Sequence, residues 1–299
     1  MKRIVVTGAD GNLGGRLVKR LADETDYGVI AVSSFPERLP EMVERGKIVN
    51  NDKVSLYSSE EFFSADLSAL QAEGAVHLAF SRGIYPSGDI ASSLDYSLAA
   101  FRKIADSGVQ NAIYVSSQSV YGAFQDFRTP ETEPSPSSVY AMAKYAGEKL
   151  FEAVYIGKEQ LQHTILRLDL VAQSQRLIIG LCKSAMETGV LILKGGKQLF
   201  SYIDADDVPT ALTALLLTDK QWRPVYNVGH DRERYTLTDV AKVVCEVAAE
   251  HGKEVTIQLT EDDTALYAGM DTSAFLQDTG WLPCYSLKEI ITRIYESLT

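Results

Sequence analysis

Residues Lys2–Gly14 read KRIVVTGADGNLG, and this stretch decides the fold. Lys2–Thr7 is β-branched and alternates little, the pattern of a strand buried on both faces of a parallel sheet. Gly8, Gly11 and Gly14 follow at intervals of three, and an amphipathic helix then runs to about Thr25. Glycine lets the chain turn tightly and lets backbone approach a pyrophosphate. The helix behind it offers N–H groups and a positive dipole end. A glycine triplet between a first strand and a first helix predicts a dinucleotide-binding α/β fold.

The alternation continues outward from that turn. Val29–Val32 is a second strand, after which an NAD-selecting unit normally carries an Asp or Glu for the ribose 2′-OH. Here Ser33 and Ser34 stand at that place, with Arg38 four residues beyond. With no carboxylate at the strand end to repel a 2′-phosphate, and hydroxyls and a cation near it, the reading leans toward NADP. Arg38 is equally consistent with a side chain that simply faces water. Val54–Tyr57 is a third strand. The Asp66-Leu67 pair lies within a connecting helix, eight residues before the next strand, so Ser58 or Ser59 is the better group for the adenine edge.

Ala75–Phe80 is a fourth strand, whose end at Leu78, Ala79 and Phe80 borders the ligand crevice. In the Gly/Pro loop that follows, Arg82 is placed either to contact an anionic substrate or to face solvent. Ile90–Ser107 reads as a helix, Asn111–Ser116 as a fifth strand and His163–Leu168 as a sixth. Strands and helices alternating in this way predict a Rossmann-type doubly wound parallel sheet, six or seven strands in the order 3-2-1-4-5-6. The pattern loosens after residue 170. Residues 1–170 read as the cofactor-binding domain. Residues 171–299 read mainly as a small substrate lobe, with some elements returning to the first domain.

The chemistry is concentrated between residues 114 and 149. YVSSQSVYG ends a buried strand in small hydroxyl residues, and SSVYAMAKYAGEKL begins a helix with Ser137 and Ser138 as capping candidates. Tyr140 and Lys144 are four apart and share one helix face. The strand end can bring Ser117 up to that face. The three make a proton-handling set: a phenol, an ammonium beside it, and a hydroxyl to hold a carbonyl.

The chain has 299 residues, 45% of them hydrophobic, enough for a sizeable core. A net charge of −11 argues against nucleic acid and anionic membrane as partners. Cys182, Cys245 and Cys284 are far apart and form no metal-like spacing with the four histidines, so no metal is expected. The N-terminus runs straight into a strand, and no apolar run reaches membrane-spanning length. A soluble cytoplasmic protein is the expectation.

TGADGNLG, YVSSQSVYG and YAMAK, in this order and spacing, resemble the extended short-chain dehydrogenase/reductase family of NAD(P)-dependent sugar-nucleotide epimerases, dehydratases and reductases. SYIDADDV, YNVG with TLTDVAKVV, and MDTSAFLQDTGWLPCYSLKEII resemble its later segments, so the likeness spans the chain. The resemblance implies that Gly8, Gly11 and Gly14, with Asn12 and Leu13, hold the pyrophosphate. It implies that Ser117 is the catalytic hydroxyl, preceded at the cofactor by Ser116. Tyr140 is then the acid/base, and Lys144 a ligand of the nicotinamide ribose. A free phenol has a pKa of about 10. Lys144 and an oxidised nicotinamide would stabilise the phenolate. The resemblance also implies a homodimer built on the helices near Ile90–Ser107 and Val139–Tyr155.

The departures narrow the function. Family dehydratases carry an acidic pair where this chain has Gln118 and Ser119, which makes these two candidate substrate contacts and argues against 4,6-dehydration. Leu170, Ala172 and Gln173 replace an Asn and a Tyr-Gly that help bind the sugar nucleotide. Phe200 or a neighbour replaces the Arg that grips its diphosphate. Three functions follow: an epimerase or ketoreductase of a sugar or nucleotide sugar, a reductase of a non-sugar carbonyl compound, and a non-catalytic NAD(P)-sensing protein.

Overall fold

The computed structural model describes residues 1–35, 37–38, 43, 52–81, 90–123, 127–230, 234–262 and 269–299. The first half of the chain contains β1 (Arg3–Thr7), α1 (Asn12–Glu24), β2 (Gly28–Ser33), β3 (Val54–Ser58), α2 (Ser59–Ser64), β4 (Ala72–His77), α3 (Ile90–Asp106), β5 (Asn111–Ser117) and α4 (Val139–Tyr155). Then come β6 (Gln162–Leu168), β7 (Leu170–Val171), α5 (Arg176–Glu187), β8 (Val190–Lys194), β9 (Leu199–Phe200), β10 (Tyr202–Ile203) and α6 (Asp207–Leu217). The chain closes with β11 (Val225–Val228), β12 (Tyr235–Thr236), α7 (Leu237–Glu250), β13 (Thr256–Thr260), α8 (Ser273–Thr279) and α9 (Leu287–Glu296).

Seven strands form one sheet in the order β3-β2-β1-β4-β5-β6-β11. Each neighbouring pair in it is parallel. The expected order therefore holds, with β11 as the seventh strand beyond β6. Every residue of β2 is buried, as its continuous apolar run requires. Leu17, Val18 and Leu21 of α1 pack with Val208, Leu212 and Leu215 of α6 on one face. Phe101 and Ile104 of α3 pack with Phe151 and Tyr155 of α4 on the other. Burying each such side chain contributes about 1.5–3 kcal/mol. A separate core gathers Leu181 of α5, Leu191 of β8, Val240 and Val244 of α7, and Ile290 and Ile294 of α9.

Three local readings are corrected. β4 spans Ala72–His77 rather than Ala75–Phe80, because Ala72 already pairs with Arg3 and the chain leaves the sheet at Leu78. Asp66 is not helical: α2 ends at Ser64, and the Asp66 carboxylate accepts the N–H groups of Ser68 and Ala69 in a turn. Thr256–Thr260 is a strand the sequence reading did not anticipate. Its side chains are mostly exposed, so it carries little periodic signal, and it forms by parallel pairing with β8.

Two contacts set α4 against the sheet. A Cβ at Gly147 would collide with the Tyr114 hydroxyl and lie 3.0 Å from its Cζ, so glycine permits the close approach of α4 to β5. One residue on, the Glu148 carboxylate takes a bidentate pair from Arg167 of β6, Nε to Oε1 at 3.1 Å and Nη2 to Oε2 at 2.7 Å. Ser116 of β5 donates to the same Oε1 at 2.5 Å. Both charged side chains are buried. Gly147→Ala should cost about 1–3 kcal/mol through overpacking, against the gain in helix propensity. Glu148→Ala should cost about 3–5 kcal/mol, because it leaves the buried Arg167 cation without its counter-charge. Urea unfolding of the three proteins measures both. An unchanged midpoint in either variant would remove the corresponding contact from this account.

Candidate active site

The glycine turn is shaped by close packing. Gly8 has φ +72°, and a Cβ there would lie 2.8 Å from the backbone of Ala79. A Cβ at Gly14 would fall on the Gly8 carbonyl. Gly11 is the N-cap of α1; no side chain caps the helix and its first turn holds no acid. The N–H groups of that turn are thus arranged for an anion. Asn12 and Leu13 open α1, and the Asn12 side chain accepts from Arg16 Nε at 3.1 Å. Arg16 in turn pairs with Asp206, which also binds Arg293. Arg293 reaches the buried Asp204 at 3.0 Å. SYIDADDV therefore braces the helix of the glycine turn. A cavity of about 1080 Å³ opens beside this turn, lined by Asp10, Gly11, Asn12, Arg16 and Arg38 and closed by Asp206 and Thr210 from the far side. Ser117, Tyr140 and Lys144 do not line it.

At the end of β2, Ser33 is buried and its Oγ accepts the Phe35 N–H at 2.9 Å. Ser34 is exposed, and its Oγ lies 3.1 Å from Ser59 Oγ. Ser58 caps α2 in a box with Glu61, which leaves Ser59 as the serine that faces this end of the crevice. Arg38 stacks on Phe35, 4.0 Å from the ring centroid. Its Nη1 lies 3.7 Å from Asp10 Oδ2. A carboxylate thus stands beside the end of β2 after all, supplied by the glycine turn. The Tyr96 hydroxyl of α3 is buried beside Ser34 and Ser59. Burial raises its pKa, with the Asp10 charge adding to the rise and Ser59 and Ser34 opposing it. Sequence reasoning passed over both Asp10 and Tyr96. Asp10 was legible within the turn itself, whereas nothing in the α3 sequence marks Tyr96.

At the other end of the crevice, Tyr140 lies in the first turn of α4, which Ser138 caps by accepting the Ala141 N–H at 3.1 Å. Lys144, one turn later, is 4% exposed, and its Nζ donates to the Val115 carbonyl of β5 at 2.6 Å. The ammonium lies 4.4 Å from the Phe80 ring centroid and 4.5 Å from that of Tyr114. The Tyr140 ring meets Phe80 edge-on at 5.9 Å. Ser117 ends β5, and its Oγ accepts from Ser119 Oγ at 3.0 Å and Ser119 N at 3.2 Å.

The remaining candidates divide. Leu78 and Ala79 form the floor against which Gly8 packs. Ser116 turns away from the crevice to Glu148. Gln118 is buried, its Oε1 3.5 Å from Arg128 Nη1. Arg82 lies outside the described residues. Leu170 pairs with Tyr202, and Gln173 spans Asp204 and the Ala205 N–H. Phe200 stacks on Tyr202 at 5.9 Å. No helix among the described residues is long and apolar enough to cross a membrane.

The glycine cradle and the uncapped helix start fit a dinucleotide, and the comparisons agree. A family model described as the NAD dependent epimerase/dehydratase family matches residues 4–229. A UDP-glucose epimerase of Bacillus subtilis, itself uncharacterized, is 26% identical, covering 87% of this chain and 85% of its own. A dTDP-L-rhamnose 4-epimerase of Burkholderia thailandensis is 26% identical, covering 96% of this chain and 92% of its own. The UDP-glucuronic acid 4-epimerase of Bacillus cereus, solved with NAD, shares the fold at a TM-score of 0.80 and 23% identity, covering 98% of this chain and 96% of that one. The UDP-glucose 4-epimerase of Thermotoga maritima does so at 0.76 and 23%, covering 99% and 98%. With a parallel sheet in the family's order, a glycine turn at its carboxyl edge and a family match over most of its length, this chain belongs to the NAD-dependent epimerase/dehydratase family.

Proposed function

We propose that the chain is an NAD(P)-dependent enzyme acting on a C–OH/C=O pair of a sugar, most directly a nucleotide sugar, with Tyr140 as its acid/base. One observation carries the reading: Tyr140 and Lys144 stand one turn apart on α4, and the Lys144 ammonium is drawn onto β5, the strand that ends in Ser117. When bound, the nicotinamide supplies the hydride acceptor and donor. Tyr140 takes the proton of the substrate hydroxyl as that carbon becomes a carbonyl, and returns it on reduction. Ser117 holds the oxygen. Lys144 favours the phenolate by its charge and supports the nicotinamide ribose. Gln118 and Ser119 supply no carboxylate beside Ser117, which argues against a 4,6-dehydratase. The epimerase names carried by the two relatives at 26% identity support a nucleotide sugar and an epimerisation.

Phe200 favours a second reading. By the family resemblance, Phe200 or a neighbour replaces the Arg that grips a diphosphate, and the Phe200 ring stacked on Tyr202 suits a smaller, less charged carbonyl compound in a reductase. A non-catalytic NAD(P) sensor has no need of Ser117, Tyr140 and Lys144 together. In either enzyme the lobe built on α5, α7 and α9 covers the substrate, and the protein acts in the cytoplasm. It pairs with a second copy through α3 and α4. Phe151 packs inward against Phe101 and Tyr155 against Phe151, so exposed residues such as Met142 would carry that contact.

Tyr140→Phe should lower turnover by about 10²–10⁴-fold, as for other positioned acid–base groups, with nicotinamide affinity largely kept. Lys144→Ala should reduce both turnover and affinity, and Ser117→Ala mainly turnover. Hydride transfer followed by absorbance reads the first quantity and calorimetric titration the second. Full turnover in Tyr140→Phe would reject the acid/base assignment. Mass analysis of nicotinamide that co-purifies separates the two enzymes: tightly held NAD marks an epimerase, weak exchangeable NADPH a reductase. Sedimentation at micromolar concentration should show a dimer, and a monomer there would defeat the pairing.

A further inference from the structure

We propose that Asp10, a residue of the glycine turn, is the carboxylate that binds the adenosine ribose of the cofactor, and that it makes the protein select NAD over NADP. The inference rests on the reading of the glycine turn as a dinucleotide site and deepens it.

Selection of NAD in such folds needs a hydrogen-bond acceptor of negative charge beside the ribose 2′-OH, and that group normally ends the second strand. The second strand here ends in Ser33, whose hydroxyl is turned inward to the Phe35 N–H. β1 and β2 are adjacent and parallel, so the turn after β1 and the residues after β2 meet at the same edge of the sheet. Asp10 sits in that turn, and its carboxylate reaches Arg38, five residues past the end of β2. Ser34, Ser59 and the buried Tyr96 hydroxyl gather at the same place. A carboxylate has therefore reached the position from another strand.

The consequence for Arg38 is electrostatic. By itself, a guanidinium after β2 reads as a grip for a 2′-phosphate. With Asp10 at 3.7 Å its charge is answered, and a phosphate entering there would meet the carboxylate as well. A 2′-OH, by contrast, donates to Asp10 with no charge to repel. The local arrangement thus reverses the preference that Ser33, Ser34 and Arg38 suggest when read as a sequence.

Calorimetric titration of the full chain with NAD⁺ and with NADP⁺ tests this without any substrate. Wild type should bind NAD⁺ at least tenfold more tightly, about 1.4 kcal/mol. Asp10→Asn keeps the shape and removes the charge. It should weaken NAD⁺, strengthen NADP⁺ and bring the ratio to one or below. Arg38→Ala should change NADP⁺ affinity by less than about threefold in wild type but reverse the gain in the Asp10→Asn background, since only there is the guanidinium released. That double comparison is read in folded protein, checked by its circular dichroism, and stands even if one variant is less stable. Equal or tighter NADP⁺ binding by wild type overturns the proposal, as does a ratio unmoved by Asp10→Asn. If neither nucleotide binds wild type, the dinucleotide reading falls first and this inference with it. If both bind and only the ratio fails to move, the functional reading stands and the Asp10 assignment alone is lost.

Discussion

The geometry of the crevice hangs on the buried ion pair between Glu148 and Arg167. Two charges taken out of water are costly, and the cost is offset here only because every polar atom of the pair is engaged. Arg167 gives two hydrogen bonds to the carboxylate, one to the Tyr121 hydroxyl at 2.9 Å and one to the Pro130 carbonyl at 3.3 Å. Tyr121 passes the network to Asn227 Oδ1 at 2.7 Å, and Asn227 donates on to the carbonyls of Arg128 and Asp271. A single constellation thus joins α4, β5, β6 and β11 with the turn after β5 and the segment before α8. Apolar side chains of similar volume could match its stability. The paired groups set α4 against β5 and β6, and with α4 so placed Lys144 reaches the Val115 carbonyl near the end of β5.

A second constraint acts at the glycine turn. Gly14 lies on the Gly8 carbonyl and Gly8 lies on Ala79, so β1, β4 and the start of α1 approach more closely than any side chain would allow. Close packing alone does not fix the direction of α1. Arg16 does that through Asp206, and Arg293 of α9 holds the other oxygen of the same carboxylate. The last helix of the chain therefore braces the first. The three carboxylates of SYIDADDV divide this work: Asp204 and Asp206 bind the arginines, while Asp207 accepts the N–H groups of Cys284 and Tyr285.

The order of the sheet was legible because parallel strands buried on both faces must be continuous apolar runs, and β1, β2 and β5 are. The glycine triplet and the Tyr140–Lys144 spacing were legible because each answers to local geometry. What escaped depends on contacts between distant segments. Ser116 and Ser117 are adjacent and chemically identical in sequence. Strand alternation sends one inward to Glu148 and leaves the other at the crevice, and only the position of α4 says which. Asp10 reads as an ordinary loop acid until β2 is laid beside β1 and Arg38 is brought against it. The end of β4 was misplaced by three residues because Leu78, Ala79 and Phe80 continue an apolar run. They are apolar since they line the turn and the Lys144 ammonium, not since they remain in the sheet.

One polar thread beneath the crevice joins these two constraints. His77 is buried at the end of β4, beside Thr7 at the end of β1; its Nδ1 lies 2.9 Å from Thr7 Oγ1 and its Nε2 3.0 Å from Ser97 Oγ of α3. Burial, with the Lys144 charge assisting, pushes its pKa down to about 3, so the ring is neutral at any pH near neutrality. A neutral imidazole has one N–H and one bare nitrogen, and the network decides which is which. Ser97 gives its only hydroxyl proton to the Ser93 carbonyl at 2.7 Å, so it accepts from His77. The network thus assigns the proton to Nε2, with Nδ1 accepting from Thr7. Thr7 is the residue before Gly8, and the direction of this chain of hydrogen bonds fixes the strand end from which the glycine turn departs. An imidazolium there would set a second buried cation against Lys144. The neutral ring satisfies Thr7 and Ser97 alike and leaves the ammonium to Val115 and its two aromatic faces.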